Sequence, residues 1–128
     1  MQIKVAKSAG FCFGVKRAVG IAESYAEKGI PAVTLGEIIH NPTVVESLRR
    51  RGVLPIENID ECPKGATVIL RSHGVPLSVI EKLEEKGIPY EDATCPFVAR
   101  IHKIVAERTA AGDVVILTGN PGHAEVKG

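Results

Sequence analysis

Six side chains in this sequence could do chemistry, and five of them recur at equivalent places. Cys12, His40, His73, Cys95 and His123 each follow a short apolar run, and all but the last precede a helical pattern. Thiolates and neutral imidazoles bind metals, while imidazolium rings, or ring N–H groups beside helix N-termini, hold phosphate or diphosphate. Glu125, just past His123, would project to the same side if the segment is extended. A carboxyl in such a pocket can donate a proton once its pKa is raised. Taken singly, each cysteine reads equally well as a buried small hydrophobe, and each histidine as a ring hydrogen-bonded in a turn. The shared loop position is what turns the balance toward function.

The elements that must position these loops follow from periodicity. Strands are expected at residues 3–5, 32–35, 67–70, 88–91 and 114–117, with a weak extended run at 53–55; 114–117 is the strongest of them. Behind Cys12, the residues Val15, Ala18, Val19, Ala22, Tyr25 and Ala26 repeat at helical spacing until Gly29. Further helices are expected from Pro42 to about Arg51, from about Pro76 to Gly87, and from Pro96 to Gly112, the last with Val98, Ile101, Ile104 and Val105 as its apolar stripe. The pentapeptide EKGIP occurs at 27–31 and again at 85–89, each time as helix end, glycine cap and strand entry.

Repeated helix-to-strand returns favour right-handed βαβ units and a parallel sheet. The expected fold class is therefore α/β, with small parallel-sheet lobes carrying helices on both faces. Residues 1–94 would form a first lobe and residues 95–128 the start of a second. Because ligands of open parallel sheets bind outside the carboxyl ends of the strands, the five loops would gather at one edge. The apolar run at 114–117 has no helix behind it, which would leave a sheet face uncovered. On that ground the chain reads as the first part of a longer protein.

Composition narrows the classes of function. At 128 residues and 45% hydrophobic, the chain can bury a core of its own. Its 16 basic residues are balanced by 15 acidic ones spread along the chain, so nothing points to nucleic acid. No apolar run approaches the length of a membrane span and no signal-peptide core follows the N-terminus, so no membrane partner is expected and the expected location is cytoplasmic. Three cysteines without a C-x-x-C pair argue against a disulfide scaffold and leave metal binding or catalysis open. Cys62, in a polar turn between Glu61 and Pro63, reads as a bystander, and His102 as a surface or packing residue on a helix. His123-Ala124-Glu125 matches the H-x-E half of a zinc deaminase signature, but no later P-C-x-x-C completes it. Neither G-x-G-x-x-G nor a Walker A sequence is present.

The segments AGFCFGVKRAV, GEIIHNPTVV, RSHGV, DATCPFV and GNPGHAEVKG together resemble the N-terminal part of the 4-hydroxy-3-methylbut-2-enyl diphosphate reductase family, in that family's order from Ala9 to Gly128. The resemblance implies three α/β lobes around a central iron-sulfur cluster, of the 4Fe-4S type, held by three cysteines with one iron open to substrate. Cys12 and Cys95 match the first two ligands, and the third would lie outside this chain. His40, His73 and His123 match the residues that bind the substrate diphosphate, and Glu125 the acid that relays protons to the departing hydroxyl. The implied reaction is reductive dehydroxylation, the last step of the methylerythritol phosphate route to isoprenoids, with ferredoxin or flavodoxin as electron donor. The chain alone is expected to lack that activity and to hold a cluster poorly. A different class remains beside it: a non-catalytic α/β module that binds a phosphorylated small molecule. A zinc-dependent hydrolase is a third.

Overall fold

A computed structural model describes all 128 residues. Its centre is a four-stranded parallel sheet of β1 (Ala32–Leu35), β2 (Leu54–Ile56), β3 (Thr67–Leu70) and β4 (Tyr90–Asp92), in the order β2-β1-β3-β4. Val33 and Leu35 of β1 pair with Val68 and Leu70 of β3. Both central strands are buried on their two faces, which is why AVTL and TVIL read as continuous apolar runs rather than alternating ones.

Helices cover both faces, as the handedness of βαβ crossovers requires. α1 (Phe13–Lys28) and α2 (Pro42–Arg50) lie on one side, where Ala18, Val19, Ala22 and Leu48 pack with Ala32 and Ile69. On the other side, Leu83 of α3 (Leu77–Glu85) and Ile59 of a short 3-10 turn pack with Val33, Val68 and Leu70. Adjacent residues of β3 therefore serve different cores.

The repeated EKGIP segments adopt one local solution. Gly29 and Gly87 have φ of 63° and 62°, and the isoleucine after each donates its N–H back into the helix, Ile30 to the carbonyl of Tyr25 and Ile88 to that of Leu83. A left-handed residue followed by a 6→1 hydrogen bond is the Schellman ending, and it aims both chains into a strand.

Two expected strands are not formed. Residues 3–5 and 114–117 carry no strand, and Ile3, Val5, Val114 and Ile116 are strongly exposed. Apolar composition signals burial, but a strand exists only when a neighbour takes its N–H and C=O groups, and neither run finds one here. The expected last helix does form, as α4 (Pro96–Ala110), yet none of its residues is buried. Of its expected stripe, Ile101 and Ile104 are exposed and Val98 and Val105 half-buried, and Phe97 beside it is exposed as well.

Leu83 is fully buried under the sheet, so Leu83→Ala should lower the unfolding free energy by about 2–5 kcal/mol. A urea melt measures this, and a loss below about 1 kcal/mol would mean that α3 does not pack as described.

Candidate functional site

The strand order reverses between β1 and β3, because the chain passes from β1 outward to β2 and then returns across β1 to β3. Loops leaving two such strands diverge and open a crevice at their carboxyl ends. His40 lies on the loop after β1 and His73 on the loop after β3. Asn41 caps α2 by accepting from the N–H groups of Thr43 (3.1 Å) and Val44 (3.2 Å), and Pro42 occupies the first helical position. That start signal fixes His40 immediately ahead of the helix.

The three expected histidines come together. His40 and His73 have ring centroids 4.6 Å apart, and His123 meets His73 edge-on at 6.1 Å. His73 is half-buried, and its Nδ1 is fully buried without a hydrogen-bond partner. A buried imidazole nitrogen left unpaired carries a desolvation cost, which a bound acceptor or donor would relieve. Burial, followed by the neighbouring His40, pushes the His73 pKa below the ordinary histidine value, while Glu125 opposes the shift. The neutral form of His73 is thereby favoured relative to a free imidazole, and an arriving anion would favour its protonation.

Glu125 reaches this cluster from a helical turn, not from an extended segment. α5 (Ala124–Lys127) is capped by His123, whose Nδ1 accepts from the Glu125 N–H at 3.3 Å. With Nδ1 as acceptor, the remaining ring nitrogen of His123 carries the proton and is available as a donor. His102 has a larger part than its position on α4 suggested. Its Nε2 donates to the Glu125 carbonyl oxygen at 3.0 Å, tying α4 to the segment that carries His123 and Glu125. The ring lies against Gly74, where a Cβ would stand 2.8 Å from His102 Cε1. Its partner is a backbone oxygen, so no side-chain pattern could have announced it.

The cysteines occupy matching positions. Cys12 is the residue before α1 and Cys95 the residue before α4, and their carbonyls accept the first helical hydrogen bonds, from Lys16 and Ala99 at 2.9 Å each. Neither thiol makes a capping hydrogen bond, so both sulfurs are uncommitted at the positive ends of helices. The Cys95 sulfur rests against Gly14, in the first turn of the helix that Cys12 opens. Thiolates are the donors a metal-sulfur group would take, and Cys12 and Cys95 would supply two of them; no set of three or more His, Cys, Asp or Glu side chains stands at metal-holding geometry. Cys62 is remote in kind: its thiol points to the carbonyls of Pro63 and Ala66, and burial raises its pKa.

The loops are stitched together through Ser72. Its N–H donates to the Ile38 carbonyl (3.2 Å), and its own carbonyl accepts from the Cys95 N–H (2.8 Å). A cleft of about 590 Å³ opens on the α3 side of the same sheet edge, lined by Gly36, Arg71 and the ion-paired Asp60 and Lys86. None of the histidines or cysteines lines it.

Fold and site together define a parallel α/β lobe whose strand edge carries clustered histidines, with two cysteines at helix N-termini. The chain belongs to the LytB protein family, which it matches over residues 3–128. It is 44% identical over 128 residues to the 4-hydroxy-3-methylbut-2-enyl diphosphate reductase of Geobacter sp. (strain M21), covering 100% of this chain and 45% of that one. The reductase of Aquifex aeolicus (strain VF5) is 47% identical over 129 residues, covering 100% of this chain and 44% of that protein. A solved structure of (E)-4-hydroxy-3-methyl-but-2-enyl diphosphate reductase, described as the terminal enzyme of the non-mevalonate pathway, superposes with a TM-score of 0.85 at 46% identity over 98% of this chain and 45% of the other. The Plasmodium falciparum E-1-hydroxy-2-methyl-but-2-enyl-4-diphosphate reductase gives 0.86 at 32% identity over 94% of this chain and 38% of the other. The chain thus spans less than half the length of these relatives. No helix is long and apolar enough to cross a membrane.

His73 gives a pH prediction with a definite sign. Its folded-state pKa lies below the unfolded value of about 6.5, so the unfolded chain binds more protons and stability falls as pH drops through that value. By NMR titration, His73 should titrate below an ordinary histidine, and His40→Gln should raise its pKa by removing the ring that opposes its protonation. An unmoved or lowered pKa in that variant would contradict the coupling.

Proposed function

We propose that this chain is the part of a 4-hydroxy-3-methylbut-2-enyl diphosphate reductase that supplies two cluster thiolates, the diphosphate-binding histidines and the proton donor. The observation that carries the reading is the convergence of His40, His73 and His123, with Glu125 close enough to act on His73, at the strand edge that also holds Cys95, whose sulfur rests against the helix that Cys12 opens. The family and the identity to named reductases support it. The lobe boundary is proposed between residues 94 and 95, where the sheet ends and α4 begins.

The substrate is an allylic alcohol that carries a diphosphate. In this reading His40, His73 and His123 bind the diphosphate through ring N–H groups, with proton uptake compensating its charge. His73 contributes the buried nitrogen that lacks a partner, so binding satisfies a group the fold leaves open. Glu125 donates a proton to the leaving hydroxyl, which departs as water. Cys12 and Cys95 hold a 4Fe-4S cluster whose third cysteine comes from sequence outside this chain. When bound, such a cluster supplies single electrons and an open iron that acts as a Lewis acid toward an alcohol oxygen. Two electrons, delivered singly by ferredoxin or flavodoxin, and two protons convert the substrate to isopentenyl or dimethylallyl diphosphate and water. The cytoplasm, where thiolates stay reduced, suits this chemistry.

The test uses a chimera in which this chain is joined to the remaining sequence of the Aquifex aeolicus reductase. Reconstituted anaerobically and supplied with a one-electron donor, it should form both products. Glu125→Gln should lower kcat by about 10²–10⁴-fold with diphosphate affinity kept. His73→Ala should weaken inorganic pyrophosphate by about 1.5–3 kcal/mol in calorimetry. Pyrophosphate binding without turnover, undiminished in Cys12→Ser and Cys95→Ser, would replace the reductase reading with a non-catalytic phosphate-binding module.

A further inference from the structure

Beyond the two cysteines themselves, we infer that Gly14 and Arg17 of α1 are positioning residues that set Cys95 against Cys12. The inference rests on the reading of the two thiols as ligands of one centre, and it concerns what holds them in place.

Cys12 is located simply, because it opens α1 and moves with that helix. Cys95 belongs to the loop between β4 and α4, which is distant in sequence and must be registered to α1 by contacts. Gly14, buried on the first turn of α1, provides the space for it. A Cβ there would stand 3.0 Å from Cys95 Cβ and closer still to the sulfur, so any side chain would displace the thiol. Gly20, on the same helix, is exposed and has nothing within 4 Å of the corresponding point.

Arg17, one turn further along, closes the other side. Its guanidinium donates to the carbonyl oxygens of Asp92 (3.1 Å) and Thr94 (3.3 Å), the last stretch of backbone before Cys95. That loop is further drawn into a turn by Asp92, whose carboxylate accepts from the Thr94 N–H (2.8 Å) and hydroxyl. One guanidinium reaching two carbonyls fixes the loop in distance and orientation, which a lysine ammonium, as a point donor, does less well. Gly14 therefore lets the loop approach, and Arg17 stops it from leaving.

Cadmium binding tests this without any cluster or turnover, in a Cys62→Ser background so that only the two thiols report. Titrated with Cd²⁺ alone, the protein should develop a sulfur-to-cadmium charge-transfer band that is lost in Cys12→Ser and in Cys95→Ser. Gly14→Ala and Arg17→Ala should each weaken the apparent affinity by about 10–100-fold, as supporting contacts around metal ligands do. Arg17→Lys should fall between Arg17→Ala and the parent, while Gly20→Ala should bind as the parent does. Circular dichroism checks that each variant is folded; should Gly14→Ala unfold, the Arg17 pair decides. Parent-like affinity in the folded Arg17 variants, or no shared band in the parent, would overturn the inference. Because Cd²⁺ reads only thiol geometry, a failed reductase assay would leave this result intact.

Discussion

The peptide of Ser72 is the constraint on which the site depends. Two residues past the end of β3, its N–H is committed to the loop that leads to His40 and its carbonyl to the N–H of Cys95. Ser72 is itself buried and directly precedes His73. Three loops from β1, β3 and β4 are thereby tied together by main-chain hydrogen bonds, which do not depend on side-chain identity. Buried backbone groups must be paired, so this arrangement is as firmly specified as the strands beneath it. The chemistry can then vary at the tips while the edge stays fixed.

On that edge the two functional clusters obey different physics. The histidines form a site that is incomplete by hydrogen bonding: the His73 pKa is lowered by burial and by His40, and its buried Nδ1 has no partner, so a bound anion or donor would relieve both. The cysteine corner is set by packing. Cys95 fits because Gly14 has no side chain, and it stays because Arg17 holds the preceding carbonyls. His102 links the two, with its ring on Gly74 and its Nε2 on the Glu125 backbone.

Much of this was legible in the sequence, for identifiable reasons. The central strands at 32–35 and 67–70 are buried on both faces, which leaves an unbroken apolar run, and Asn41-Pro42 and the EKGIP repeats mark helix ends by their backbone requirements. His40, His73 and Cys95 share an edge because each follows a strand of one parallel sheet, whereas Cys12 and His123 follow runs that form no strand and reach the same corner on helix starts. The runs at 3–5 and 114–117 misled because hydrophobicity reports a wish for burial and says nothing about whether a pairing partner is at hand. Glu125 was expected on an extended segment, whereas a cap by His123 winds it into a turn. Arg17 and His102 act on carbonyl oxygens far away in sequence, a contact that leaves no trace in residue types.

The most direct measurement is the content of iron, acid-labile sulfide and zinc per chain in the anaerobically reconstituted chimera with the Aquifex aeolicus sequence. The account predicts iron and sulfide in near-equal amounts, both lost when either Cys12 or Cys95 becomes serine, with no zinc retained. Zinc alone, or iron and sulfide that persist without either cysteine, would contradict it and detach the histidine edge from any metal-sulfur chemistry.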